Sequence, residues 1–150
     1  MTRISSGNEV TLSDDPFLLK TGTTDKGARL ADEGFLRSLL ENDEREMSVV
    51  FSDPSKPDNP MIFVSEEFER QTGYLAEEAI GRNCRFLQGA ETDQNAIEAI
   101  RYGLRAETRF TIDILNYRKD GTPFLNRLRI RPIYDPQGSL LFFAGAQNPI

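Results

Sequence analysis

The chain contains no histidine and only one cysteine, Cys84, among its 150 residues. Without histidine, Ser-His-Asp and Cys-His catalysis lack their base, and most transition-metal sites lose a usual ligand. A single cysteine supports neither an internal disulfide framework nor a cysteine-built zinc site. Long apolar runs are missing as well. None approaches the roughly 20 residues that span a bilayer, and the opening Met-Thr-Arg-Ile-Ser-Ser has no apolar stretch resembling a signal peptide. The expectation is a soluble cytoplasmic protein with no membrane partner. Positive charge is in deficit too. The net charge is −6 and the pI about 4.8, which argues against nucleic-acid binding through a broad basic surface.

What is present is enough for one core. Hydrophobic residues make up 38% and charged residues 28%, too apolar for a disordered chain. The length fits one domain with an extension. The charge is uneven. Residues 1–81 carry 8 basic and 17 acidic side chains, whereas residues 82–131 carry 10 basic and 6 acidic. The middle of the chain can hold an anion although the whole is acidic.

Residues 1–27 are rich in Ser, Thr, Gly and Asp and show no sustained period, so they read as an irregular cap. From Ala28 to Glu44, Phe35, Leu36, Leu39 and Leu40 fall on one stripe of an amphipathic helix. Met47 to Phe51 reads as a strand. Asp53-Pro-Ser-Lys-Pro-Asp-Asn-Pro60 is a turn with three prolines, and Met61 to Val64 is a second strand. Ser65 is the expected N-cap of a helix that Gly73 ends, with Glu66 and Glu67 in its first turn. Ala76 to Leu87 suggests two short helical pieces broken near Gly81. Thr92 is the expected N-cap of a longer helix, 93–106, with Ile97, Ile100 and Leu104 on its buried stripe. Three strands follow: Phe110 to Lys119, Thr122 to Tyr134 and Ser139 to Gln147. They are joined at Lys119-Asp-Gly121 and Asp135-Pro-Gln-Gly138, both good hairpin signals. The order predicts an α+β fold, a five-stranded antiparallel sheet with helices on one face and an N-terminal helical cap.

The last three strands alternate clearly. Phe124, Leu128 and Ile130 share one parity, while Arg127, Arg129 and Arg131 share the other. Strand side chains alternate faces, so the apolar set points inward. Asn126 belongs to that set. Asn116 shares parity with Phe110, Ile112 and Ile114, and Gln147 with Leu141, Phe143 and Gly145. Three strands thus each aim one carboxamide inward. Any one of them could bond backbone or water near a strand end. Together they match a flat heterocycle with donors and acceptors along one edge, because an amide both donates and accepts. Arg101 lies on the helical stripe of Ile97, Ile100 and Leu104, and Arg85 lies near Gln88. Arg101 could instead snorkel or pair with a nearby carboxylate. As a pair, the two guanidinium groups suit a phosphate. No P-loop or dinucleotide-binding fingerprint competes with that reading.

A lone cysteine by itself reads as a small buried hydrophobe. Its context differs. Gly81-Arg-Asn-Cys-Arg-Phe-Leu-Gln-Gly89 resembles the signature of LOV (light-oxygen-voltage) domains, the blue-light-sensing branch of the PAS family. Asp58-Asn-Pro-Met-Ile-Phe-Val64, Thr72-Gly-Tyr74, Leu115-Asn-Tyr-Arg-Lys-Asp-Gly121, Pro123-Phe-Leu-Asn126 and Phe143-Ala-Gly-Ala-Gln147 resemble further family segments. The resemblance runs from about Met47 to Gln147. It divides the chain into an N-terminal extension, 1–46, and a photosensory domain, 47–150.

The resemblance implies a PAS fold and a noncovalent flavin mononucleotide (FMN). Cys84 would be the photoreactive thiol, forming a reversible bond to ring carbon C4a on illumination while N5 takes a proton. Asn83 and Gln88 would contact the ribityl chain, and Arg85 and Arg101 the phosphate. Asn116 and Asn126 would bond the polar ring edge, and Gln147 would sit near N5 and answer its protonation by rotating its amide. Signalling would pass through conformational change or dimer rearrangement to an unidentified downstream partner. Apart from the resemblance, the stripe of Phe35, Leu36, Leu39 and Leu40 needs covering, by its own sheet or by a second subunit, and a homodimer is expected. No catalytic effector of its own is expected, and the chain could be the sensor fragment of a histidine kinase. Two departures stand out. Leu125 occupies a position often held by an aromatic residue. Asn148-Pro149-Ile150 replaces an acidic residue and helix start, and Pro149 is expected to interrupt the strand ladder. Two other readings fit the same residues: a PAS-type module for another ligand with Cys84 structural, and a flavoenzyme, which would need a substrate channel and a hydride donor.

Overall fold

The computed structural model describes residues 33–150. Backbone contacts divide the chain into Met1–Arg45 and Glu46–Ile150, and each unit is described by itself. In the first, α1 spans Glu33–Ser38 and a 3-10 turn spans Asn42–Glu44. Arg37 pairs with Glu33 one turn away. The continuous helix expected over 28–44 is therefore broken after Ser38. Its part at 28–32 and the irregular cap at 1–27 lie outside the described residues.

The second unit is built on β1 (Ser48–Ser52), β2 (Met61–Val64), β3 (Phe110–Tyr117), β4 (Pro123–Tyr134) and β5 (Leu140–Pro149). The spatial order is β2-β1-β5-β4-β3, and every neighbouring pair is antiparallel. The last strand in sequence thus lies at the centre, between the first strand and the closing hairpins. Helices α2 (Glu66–Thr72), α3 (Ala76–Ala79) and α4 (Gln94–Ala106) and a 3-10 turn at Cys84–Leu87 fill the connection from β2 to β3. A core of Val50, Met61, Val64, Phe68, Ala79 and Leu87 joins β1 and β2 to α2, α3 and the 3-10 turn.

Local chemistry explains the boundaries. Ser65 Oγ accepts from Phe68 N to start α2. Gly73 ends it at φ 81°, a left-handed conformation that glycine adopts without a Cβ penalty. The expected N-cap of α4 is corrected by one residue. Asp93, not Thr92, caps the helix by accepting from Asn95 N at 2.9 Å. Thr92 is buried and serves the sheet instead: its Oγ1 donates to Leu115 O at 2.7 Å and accepts from Gly89 N at 3.0 Å. β3 stops at Tyr117 rather than Lys119, because Arg118 to Gly121 form the turn.

Pro149 does not break the ladder. Alternate residues of an antiparallel strand bond to a given neighbour. Ile150 N donates to Leu125 O at 2.9 Å, so the Pro149 nitrogen points away from β4, toward β1. There the pairing of β5 with β1 ends at Gln147↔Ser48, and the missing N–H costs no bond. The proline sits where this strand is locally an edge.

Candidate functional site

Between the sheet and α4 lies a cavity of about 140 Å³. Each element contributes by its own periodicity. β1 supplies Val50 and Ser52. β3, β4 and β5 supply Ile114 and Asn116, then Asn126, Leu128 and Ile130, then Phe143, Gly145 and Gln147. These are the inward parities of each strand. α4 presents Ile97, Ile100, Arg101 and Leu104 at helical spacing, and the 3-10 turn presents Asn83, Cys84, Arg85, Leu87 and Gln88. All eight residues singled out by sequence therefore line one cavity.

The three amides form one connected group. Asn116, Asn126 and Gln147 are buried, Asn126 completely. Asn126 Nδ2 donates to Asn116 Oδ1 at 3.0 Å and to Gln147 Oε1 at 3.2 Å. Asn126 Oδ1 accepts from Asn148 N at 3.1 Å, and Asn116 Nδ2 donates to Leu115 O at 3.2 Å. Two amides on neighbouring strands thus depend on the central Asn126.

The arginines lie at the exposed part of the cavity, their side chains 55% and 56% accessible. Arg85 pairs with Asp58, which raises its pKa further and keeps it charged. Arg101 pairs with Glu98 one turn away at 2.7 Å. Carboxylate pairing thus holds for Arg101 as sequence allowed, while its position on the cavity stripe holds as well. Asn83 caps the 3-10 turn by accepting from Arg85 N at 2.9 Å, and its Nδ2 donates to Asp58 O at 2.7 Å.

Cys84 is the first residue of that turn and is accessible along the cavity it lines. Enough protein surrounds the sulfur that burial pushes the thiol up from its ordinary value. A backbone hydrogen bond and the Arg85 charge pull the other way but do not cancel it. The group is a thiol, not a thiolate, at neutral pH.

Sequence reasoning passed over Asn59. It lines the cavity, sits at φ 48° beside Asp58 at φ 67°, and its buried Oδ1 has no hydrogen-bond partner among the described residues. A non-glycine pair held in the left-handed region next to a cavity stores strain, and an orphaned buried oxygen is costly unless a ligand meets it. The Asp-Asn-Pro sequence in a proline-rich turn was the available signal. Apolar walls, a hydrogen-bonding edge on the sheet, an unmet polar atom and two guanidinium groups fit a planar heterocycle carrying a polar chain and a phosphate. A flavin mononucleotide has those parts.

Comparison with known proteins shows the family. A PAS domain family model matches residues 46–148. A solved structure described as "Flavin Analogue Sheds Light on Light-Oxygen-Voltage Domain Mechanism" superposes with a TM-score of 0.72 at 42% identity, covering 79% of this chain and 86% of that one. The LOV domain of an Erythrobacter litoralis blue-light activated histidine kinase gives a TM-score of 0.67 at 38% identity, covering 70% of this chain and 96% of that one. The chain belongs to the PAS domain family and, within it, to the LOV domains, the blue-light-sensing branch. "Blue-light-activated histidine kinase 1" of Erythrobacter litoralis is 46% identical over 112 residues, 74% of this chain and 31% of that protein. The "Blue-light photoreceptor" of Listeria monocytogenes is 45% identical over 104 residues, 69% of this chain and 41% of that protein. The chain thus spans less than half the length of these curated relatives. Among the described residues no helix is long and apolar enough to cross a membrane.

Proposed function

We propose that this chain is the photosensory part of a blue-light receptor, with FMN in the cavity and Cys84 as the residue that reacts. The observation that carries this reading is the convergence of Cys84 and three buried, mutually bonded amides on one cavity. Bound there, FMN supplies blue-light absorption and an excited state able to take a reversible bond from a nearby thiol.

The chain's own residues supply the rest. Ile97, Ile100, Leu104, Leu128 and Ile130 offer apolar contact to the two faces of a planar ring. Asn116 and Asn126 meet its polar edge, where each can donate and accept. Asn59, Asn83 and Gln88 serve the polar chain. Arg85 and Arg101 serve the phosphate, which guanidinium groups hold well. Cys84 keeps its proton in the dark, as its raised pKa requires, so reaction waits for light rather than for a base. Gln147, on the central strand, can turn its amide when the hydrogen-bonding character of the ring changes. That strand contacts β1 and β4 at once, so a change there reaches the whole sheet.

The output passes through conformational change or through a homodimer. The stripe of Phe35, Leu36, Leu39 and Leu40 is one candidate contact for the dimer. Leu125, exposed on the face of β4 that points away from the cavity, is another. The sensor would act on a downstream signalling partner, as the histidine kinase relatives suggest. The purified chain should be yellow, release FMN on denaturation, bleach in blue light and recover in darkness. Size-exclusion profiles in darkness and light test the dimer. A colourless protein after incubation with FMN would contradict the reading, and a different ligand released on denaturation would favour a PAS module of another kind.

A further inference from the structure

Helix α4 forms one wall of the cavity through Ile97, Ile100, Arg101 and Leu104. Its own buried residues are only Ala96 and Gly103, so its large apolar side chains serve the cavity more than the rest of the core. The two ends of the helix are held differently. At the C-terminal end, a Cβ added to Gly103 would lie 2.4 Å from the Phe110 ring. Tyr134 Oη lies 3.3 Å from Glu107 O and 3.2 Å from Glu107 Oε1, close enough to donate to either. Only Thr108 and Arg109 then separate Glu107 from β3. The N-terminal end follows residues 88–93, which join the Cys84 turn to α4. Gln88 lines the cavity, while Gly89, Ala90, Glu91 and Asp93 are exposed, so the wall is one chain thick here. Two side chains tie this segment to β3. Thr92 Oγ1 donates to Leu115 O at 2.7 Å and accepts from Gly89 N at 3.0 Å. Tyr117 Oη accepts from Glu91 N at 3.1 Å, and the Tyr117 ring would stand 2.4 Å from a Cβ placed on Gly89. Neither Thr92 nor Tyr117 lines the cavity.

We propose that residues 88–93 are a strap through which FMN enters and leaves, and that Thr92 and Tyr117 are positioning residues that hold it shut against β3. The proposal rests on the FMN reading above and deepens it. A ligand between the sheet and α4 can pass only where a wall parts. The sheet is a continuous ladder of five strands, and the far end of α4 is interlocked with Phe110 and Tyr134. The strap is exposed, and water can replace its bonds once it lifts. Arg85 and Arg101 precede and follow it in the chain and stand at the exposed part of the cavity, so an arriving phosphate meets both charges there. A gate sets the barrier in both directions. Weakening it speeds association and release together and leaves affinity unchanged.

The test uses the full chain in darkness, in the wild type and in Thr92→Val, Thr92→Ser, Tyr117→Phe and Ser65→Ala variants. Stopped-flow flavin fluorescence gives FMN association, and dilution of the loaded protein into excess riboflavin gives FMN release. Each net hydrogen bond supplies about a fivefold factor in rate. Thr92→Val loses two bonds, so both rates should rise roughly 25-fold with the dissociation constant unchanged. Tyr117→Phe keeps the ring on Gly89 and loses one bond, so both should rise about fivefold. Thr92→Ser, which keeps the hydroxyl, should restore wild-type rates. Ser65→Ala weakens α2, which does not line the cavity, and should lower the melting temperature without changing either rate. Unchanged rates in Thr92→Val would overturn the proposal. So would faster release without faster association, which is lost affinity, or an equal acceleration in Ser65→Ala, which is release through global unfolding. Because the rates are read in darkness, they decide the strap whether or not the protein bleaches. A chain that takes up no FMN would overturn the strap and the light-sensing reading together.

Discussion

At Cys84 two influences oppose each other, and their order decides the chemistry. Burial raises the thiol pKa, while a backbone hydrogen bond and Arg85 lower it by less. A group whose native pKa is raised binds its proton more tightly when folded. Its contribution to stability is complete below the ordinary thiol pKa of about 8.5 and is lost as pH rises through the native value. The melting temperature of the wild type should therefore fall relative to Cys84→Ala only at alkaline pH, and a difference growing toward acid pH would contradict the assignment. Asn126 is the other residue with a sharp expectation. Its Nδ2 serves Asn116 and Gln147 and its Oδ1 serves Asn148 N. Asn126→Ala should cost at least one orphaned buried group, about 1–3 kcal/mol, and weaken FMN retention. Chemical denaturation and flavin titration would measure both.

Among the elements, α4 and α2 carry the expectations that packing decides. A Cβ added at Gly103 would lie 2.4 Å from the Phe110 ring. Alanine improves intrinsic helix propensity by about 1 kcal/mol, but here α4 would have to move off β3. Gly103→Ala should therefore lower the melting temperature, and an unchanged or higher value would show that Phe110 gives way freely. The Ser65 hydroxyl bonds both Phe68 N and Val49 N, so Ser65→Ala should cost more than the ~1 kcal/mol typical of a lost N-cap. Much of this was legible in the sequence. The Ser65 cap, the Gly73 stop and the inward parities of β3 to β5 follow from local chemistry. Thr92 did not, because threonine caps and threonine sheet ligands look alike until Leu115 O is in place. Pro149 misled because the rule against proline in strands depends on which side has a neighbour. The break after Ser38 was hidden by an apolar stripe that continues through Leu39 and Leu40.

For the molecule as a whole, charge and fold are arranged separately. The chain is acidic, yet its central segment is basic, and two of those arginines sit on the cavity. Arg85→Gln combined with Arg101→Gln should reduce affinity for FMN much more than for riboflavin, which lacks the phosphate. Equal losses for both ligands would mean that the arginines act on the fold rather than on the anion. Residue spacing alone isolated the three amides and the two arginines, while the family motif assigned the thiol its role. Asn59 stayed hidden because its Asp-Asn-Pro signal reads as an ordinary turn until the orphaned oxygen is seen.

The central claim is that light makes Cys84 bond a flavin held among these amides. The most direct measurement is the blue absorption of the FMN-loaded wild type and Cys84→Ala before, during and after illumination. The account predicts that both are yellow, that the wild type bleaches and recovers in darkness, and that Cys84→Ala keeps its colour under the same light. Equal, reversible bleaching of the two proteins would contradict it.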